Sequence, residues 1–480
     1  MHMKNSFSLV LLLPLLAISI AVADSPAKVE DSPIRWKKTV VDTAFRSEGV
    51  AIADVNKDGK MDIIVGDVWY EAPDWKMHEI RPSKDYRDGE KNVYSNCMAC
   101  WAEDINGDGW PDVIVVGFPG NPCYWYENPQ GKEGHWKQHE IWHSACNETP
   151  QFVDLFGTGK RVLVMAWQPK GKENEGQMAW FSPGKDPTEL WEMHPISEPS
   201  IPPTFKATSE TFDRMAKDGV PPEAVAKLQE LKDKTFSSEK ELMDAAAKML
   251  TAEEFKAHQA KFKQYATIPG KIAPGTFRFS HGLGVGHING DGRQDVICTE
   301  GWWEQPENPN GKTPWAFHPA RLGDACADMF AYDVDGDGKA DVISSSAHNY
   351  GIWCYLQKPA RDGHPEFLKT DLFPKFVSQT HALHCVDING DGLKDLVTGK
   401  RWWAHGSKGD ADPNAPANLY WFEAKKDKDG VIKFIPHLID DDSGIGTQFV
   451  VADFNGDKLL DIVVANKKGV FLFEQVRDKK

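Results

Sequence analysis

One nine-residue pattern recurs seven times and limits what this chain can fold into. The pattern is D-x-[DN]-x-D-G-x-x-D, and its fullest copy carries Asp333, Asp335, Asp337, Gly338 and Asp341. Clean copies also carry Asp54, Asn56, Asp58 and Asp62, then Asp104, Asn106, Asp108 and Asp112, then Asp387, Asn389, Asp391 and Asp395. The copy with Asp453, Asn455, Asp457 and Asp461 has Lys458 in place of the glycine. Another begins with His287 and continues with Asn289, Asp291 and Asp295, and a worn one keeps Asp154 and Gly159 but ends on Val162. Oxygen side chains at alternate positions of a tight loop converge on one point, and the glycine permits the turn. Hard oxygens at that spacing suit Ca²⁺, so several structural Ca²⁺ ions are expected. Seven copies in one chain argue against a set of unrelated acidic turns.

Each loop lies between an alternating run and a short apolar run. In the first repeat these are residues 49–53 and 61–65, followed by residues 68–71 and 75–80. Period-2 alternation with β-branched and aromatic residues predicts strands. Four strands per repeat, with most repeats roughly 45–65 residues apart, is the arithmetic of an all-β, seven-bladed β-propeller. The seventh repeat lacks a fourth strand. Residues 34–42 match the fourth-strand pattern Trp-x-x-His-x-Ile, with Thr39 at the His position, and are predicted to complete the last blade. The same alignment assigns His78, His139, His194, His318 and His437 a packing role, because they recur at one position of successive blades.

About eighty extra residues separate the third and fourth repeats. Pro221-Pro222 opens a helical run, and Ser238 to Glu241 and Thr251 to Glu254 are capping boxes ahead of two more. A small α-helical insert over residues 200–275 is predicted between blades 3 and 4. Strand order places it on the face where the tunnel opens, as a lid or as a peripheral decoration.

Residues 1–23 read as a secretory signal, with Lys4, an apolar run from Phe7 to Ile20 and Ala21-Val-Ala23 as the cleavage site. The propeller is then expected over residues 34–480, exported to the periplasm or the outside, with no transmembrane segment. The net charge is −16, from 71 acids against 55 bases, and nineteen of the acids fall in the seven loops. That balance argues against nucleic acid as a partner. An exported chain can oxidise its eight cysteines, so a disulfide involving Cys97, Cys100, Cys123 or Cys146 is plausible.

The copies differ where they enter each first strand. Six residues before the loops stand Glu48, Met98, Glu148, His281, Ala327, His381 and Thr447. Nearby are His384, and in the second-to-third strand loops His348 and Lys400-Arg401-Trp402-Trp403-Ala404-His405. Glu48, Glu148, His281, His381, His348, His384 and His405 are therefore expected to gather in one funnel. His and Glu together can hold a divalent ion such as Zn²⁺, Mn²⁺ or Fe²⁺, or supply a general base. A polar tunnel that only holds water is the alternative.

The loops and their flanking strands resemble FG-GAP/VCBS repeats, which implies the propeller and leaves function open. More narrowly, Tyr124-Trp-Tyr-Glu-Asn-Pro129 and the segment from His281-Gly-Leu-Gly284 to Gly301-Trp-Trp-Glu-Gln-Pro306 resemble the propeller part of aldos-2-ulose dehydratases. Those are metal-dependent enzymes that eliminate water from keto-sugars. The resemblance implies a carbohydrate lyase or dehydratase acting on a keto- or uronic-type sugar, and the His/Glu cluster at equivalent positions of the copies then puts His281, His381, Glu148 and His348 in the site. The alternative is a non-catalytic, Ca²⁺-stabilised propeller that binds glycan or protein, with Trp402 and Trp403 stacking on sugar rings.

Overall fold

The structure is a computed structural model that describes residues 29, 32–87, 94–172, 175–361 and 364–477. The expected signal at residues 1–23 lies outside them. Among the described residues there are seven four-stranded antiparallel sheets and one three-stranded sheet. Sheet 1 runs Ala51–Ala53, Asp62–Val65, Val68–Glu71 and Lys76–Glu79, in spatial order. Sheets 2 to 6 repeat that order over residues 99–142, 151–195, 283–319, 330–371 and 383–440. Sheet 7 takes Val450–Ala452, Asp461–Asn466 and Gly469–Val476, and its outer strand is the N-terminal Arg35–Asp42. That strand pairs antiparallel with Gly469–Val476, and Thr39 faces Leu472. Two strand edges are thereby covered.

Hydrophobic clusters lie between neighbouring sheets, so each sheet buries both faces. The Trp-x-x-His-x-Ile pattern explains how neighbours lock. The Trp136, Trp191 and Trp315 amides donate to the carbonyls of Ile80, Ile141 and Ile196 on the preceding sheet. The histidine between them stacks on a third-strand tryptophan. Ring centroids are 4.3 Å apart for His78 on Trp69 and His139 on Trp125, 4.2 Å for His318 on Trp302 and 4.6 Å for His437 on Trp421. Each Nε2 also meets the Glu two residues after that tryptophan, at 2.8–3.0 Å. Sheet 3 has Ser182 in that place, and His194 stacks on Trp180 at 3.7 Å. Contacts run on from sheet 7 to sheet 1, where the Thr447 amide donates to the Glu48 carbonyl at 2.8 Å.

The repeat loops join first to second strands. In the six loops that begin with an acid, that acid caps the turn; both oxygens of Asp387, for example, accept amides of residues 390–392 at 2.7–3.1 Å. The last acid is buried on the second strand and accepts two further amides. Asp341 takes those of Val334 and Gln357, each at 2.8 Å. Burial pushes Asp341 up to about 6 and Asp395 to about 7. Lys458 adopts φ 70°, close to the 84° of Gly338, so the glycine-less loop keeps the same turn. In the loop that starts with His287, the His287 Nδ1 reaches the Arg293 carbonyl at 2.8 Å.

Between sheets 3 and 4 lie helices α1 (Ser209–Lys217), α2 (Pro222–Leu228), α3 (Glu239–Met249) and α4 (Ala252–Ala266). They share a small core of their own that includes Phe212, Leu228, Leu242 and Phe262. Thr251 and Glu254 form a reciprocal capping box, whereas Ser238 accepts the Glu241 amide and Glu241 turns back to Ser237 instead. Sequence reading missed α1, whose cap pairs Thr208 with Thr211 and so lacks the acid that marks a capping box. No helix among the described residues is long and apolar enough to cross a membrane. The expected disulfide is corrected: all eight cysteines are free and buried, each packed in the apolar layers between strands.

Candidate functional site

First strands begin at the end of each sheet away from its repeat loop, and residues leading into sheets 3 and 4 line a cavity at that end. Three histidines meet there. His281 leads into sheet 4, His381 leads into sheet 6, and His348 follows the second strand of sheet 5. Their rings lie 4.6 Å (His281–His348), 5.1 Å (His348–His381) and 5.7 Å (His281–His381) apart. One nitrogen from each falls within 4.8 Å of the other two.

Local backbone sets the orientation of two of them. Phe279 and Gln379, each two residues before its histidine, adopt φ 65° and 61°. That left-handed turn brings the Phe279 carbonyl to 2.8 Å from His281 Nδ1, and the Gln379 carbonyl to 3.4 Å from His381 Nδ1. A carbonyl only accepts, so Nδ1 carries the proton and Nε2 the lone pair. Both Nε2 atoms are buried and without a hydrogen-bond partner. This tautomer selection through the second nitrogen is how metal-ligating histidines are held. Burial, reinforced by the Arg401 charge and the neighbouring imidazoles, pushes His381 well below the ordinary histidine value.

Glu148, leading into sheet 3, has its Oε2 3.4 Å from His281 Nε2, without hydrogen-bond geometry, and 3.4 Å from Arg401 Nη1. Burial works to raise its carboxyl, but the groups beside it, the Arg401 charge among them, outweigh that and hold it below the ordinary carboxylate value. Arg401 also bonds Glu48, whose second oxygen accepts the Ser95 amide and hydroxyl at 3.2 Å. Arg401 and Glu48 are 2% and 1% exposed at the side chain, so that pair is sealed from water, and with Glu148 it ties sheets 1, 3 and 6 together.

Two expectations are corrected. Glu48 is committed to Arg401 and stays outside the histidine cluster. His384 points away between sheets 6 and 7, with Nε2 on the Phe449 carbonyl at 2.9 Å and its ring against Phe449 at 4.4 Å. Residue 384 is three beyond His381, and strand alternation turns it to the other side. Trp402 and Trp403 are half-buried and stack on each other at 4.1 Å, so neither offers a free face pair.

His405 belongs to the cluster, 5.0 Å from His348 by ring centroids. Its Nδ1 is 2.6 Å from Asp410 Oδ2, and Asp410 Oδ1 is 3.2 Å from His348 Nδ1. Sequence reading passed over Asp410, which sits in a Gly-, Asp- and Pro-rich loop that carries no periodic signal. A cavity of about 550 Å³ opens in front of these groups, lined by His281, His348, His405 and Glu148 and by the aromatic rings of Tyr94, Phe118, Phe277 and Phe279. Tyr94, Phe118 and Phe279 form a continuous row at centroid spacings of 5.2 and 5.3 Å.

At the repeat loops, Asp333, Asp335 and Asp341 bring carboxylate oxygens within 4.8 Å of one another. This copy has Asp where the others have Asn or no acid at the third position.

No curated protein matches the sequence. Among solved structures, the chain is similar to a Tc holotoxin pore of Photorhabdus luminescens, at 12% identity and TM-score 0.31. That match covers 87% of this chain and 16% of the toxin chain. It is also similar to the rhamnogalacturonan lyase YesW, at 12% identity and TM-score 0.36, over 92% of this chain and 75% of that one. The family model for the FG-GAP-like repeat matches residues 287–344 and 333–398, so the stretch from the sheet 4 loop into sheet 6 is built of FG-GAP-like repeats.

Proposed function

We propose that this chain is an exported seven-bladed propeller that acts as a lyase or dehydratase on a keto- or uronic-type sugar. The observation that carries the reading is the pair of buried, partnerless Nε2 atoms of His281 and His381, on rings that cluster with that of His348. Orphaned imidazole lone pairs at that spacing fit a divalent ion such as Zn²⁺, Mn²⁺ or Fe²⁺. His281, His348 and His381 would hold it, with Glu148 beside them. Bound there, such an ion supplies Lewis-acid stabilisation of the enolate formed when a proton leaves the carbon next to a carbonyl. The protein's own residues do the rest. Arg401 holds Glu148 against the cluster, and the row from Tyr94 to Phe279 gives a sugar ring an apolar face to lie on. The narrower resemblance to aldos-2-ulose dehydratases supports the substrate class. Ca²⁺ in the repeat loops would be structural.

The test is metal analysis of desalted protein followed by a screen of keto-sugars and uronates for enone absorbance. Calcium plus about one transition metal per chain, with turnover lost in His281→Ala and His381→Ala variants that still fold, is the expected result. Calcium alone, with glycan binding but no turnover, would instead favour a Ca²⁺-stabilised glycan- or protein-binding propeller. The aromatic row is the feature that speaks for that second reading.

A further inference from the structure

His405 differs from the other three histidines of the cluster. Its side chain is 39% exposed, against 8% for His281 and 26% for His348. It lines the cavity, and its Nδ1 is committed to Asp410 at 2.6 Å. A carboxylate accepts only, so Nδ1 holds a proton on the Asp410 side, and Nε2 is the ring nitrogen left for other chemistry.

Asp410 is itself fixed. The next amide, that of Ala411, donates to the His348 carbonyl at 3.0 Å, and the Ala411 carbonyl accepts from Gln379 Nε2 at 2.9 Å. Buried Lys400 ties the same loop down through the Asp412 carbonyl at 2.7 Å, and Lys467 through the Trp403 carbonyl at 2.8 Å. The carboxylate is thus placed by backbone contacts to the elements that carry His348 and His381. Glu148, the other carboxylate at the cavity, is 8% exposed and lies 3.4 Å from Arg401 Nη1, whereas Asp410 faces two histidines and, among the described residues, no arginine.

We propose that His405 is the residue that moves the substrate proton, and that Asp410 is its positioning residue; this rests on the lyase reading above. His405 Nε2 takes the proton from the carbon next to the substrate carbonyl. The N–H bond forms as the C–H bond breaks, and the electron pair passes into the enolate. The Asp410 carboxylate balances the imidazolium that results. That imidazolium then protonates the β-oxygen, the C–O bond breaks with its electrons on oxygen, and water or an alcohol departs as the double bond closes.

The experiment uses the full chain loaded with Zn²⁺. Diethyl pyrocarbonate, which acylates free imidazole nitrogens, should modify His405 before His281, His348 or His381, as located by peptide mass spectrometry. Asp410→Asn should slow that labelling. His405→Ala and the shape-conserving His405→Gln should keep wild-type zinc content and melting temperature. Both should lower kcat by about a hundredfold or more with little change in KM, and added imidazole should restore part of the alanine variant's rate. Loss of zinc in either variant, zinc protection of His405 from the reagent, or full turnover in His405→Gln would overturn the assignment. A wild-type protein that turns over no keto-sugar or uronate sinks the lyase reading and with it the proton-transfer role, even where labelling finds His405 free.

Discussion

The fourth-strand histidines and the buried pair at the cavity do different jobs, and the carboxylate or carbonyl beside each decides which. In sheets 1, 2, 4 and 6 the fourth-strand histidine spends its Nε2 on a glutamate and its ring on a tryptophan. His139, stacked on Trp125 and bonded to Glu127, is 6% exposed. His139→Ala removes a stacked ring and a hydrogen bond, worth together about 1–2 kcal/mol. Urea unfolding should register that loss while any activity of the cavity stays intact. In His281 and His381 the backbone takes Nδ1, and Nε2 is left over. A second residue-scale expectation concerns Asp328, whose oxygens accept the Leu383 amide at 3.0 Å and Gln151 Nε2 at 2.8 Å. Burial pushes its carboxyl up to about 6. A raised carboxyl pKa favours the protonated folded state, so this contribution is complete below about 4 and is lost as pH rises through 6. Asp328→Asn should flatten that part of the pH dependence and leave stability at pH 7 equal to or above wild type, as read from urea midpoints at pH 4.5 and 7.

Elements were legible in the sequence where they repeat and obscure where they occur once. The strands follow from period-2 alternation seven times over, and the N-terminal strand from a single Trp and a run of β-branched residues that fit the missing position. The helices α2, α3 and α4 carry Pro, Ser and Thr start signals; α1 carries a weaker one and was missed. The candidate site was half readable for the same reason. His281, His381 and Glu148 stand at equivalent positions before their strands, so alignment of the copies points to them. Strand pleat, which sends His384 to the far side, and the Arg401 bridge to Glu48 need three dimensions. The loop over residues 400–416 has no counterpart in the other repeats, and it supplies Arg401, His405 and Asp410. Arg401→Ala would leave the Glu48 and Glu148 carboxylates buried without their cation. A loss of roughly 3–5 kcal/mol is expected. Replacing all three charges together, as Glu48→Gln, Glu148→Gln and Arg401→Met, should cost less than the single change. If instead the triple variant unfolds earlier in urea than Arg401→Ala, the triad is a net stabiliser and the desolvation argument fails.

At the scale of the whole molecule, stability turns on how the repeat loops are held, by their own hydrogen bonds or by a cation. Their first acids already accept two or three backbone amides each, and their last acids two more, so the turn has internal support. Against that stand six last acids whose carboxyls are pushed up to about 6 or 7, by burial first and by repulsion from other acids of the same loop second. A cation lodged among them would offset that repulsion, and because it binds the folded loop alone it would stabilise the fold. At a free concentration a hundred times its Kd, one such site contributes about 2.7 kcal/mol. Several sites would therefore dominate stability. EDTA should lower the melting temperature and Ca²⁺ should restore it, with Asp333→Asn in the three-carboxylate loop reducing the shift. The cavity histidines sit at the opposite ends of the strands, so a His281→Ala, His381→Ala double variant should keep the full calcium-dependent shift. A melting temperature indifferent to EDTA in both proteins would mean that amide hydrogen bonds alone hold the loops, and that the repeated acids serve the turn rather than an ion.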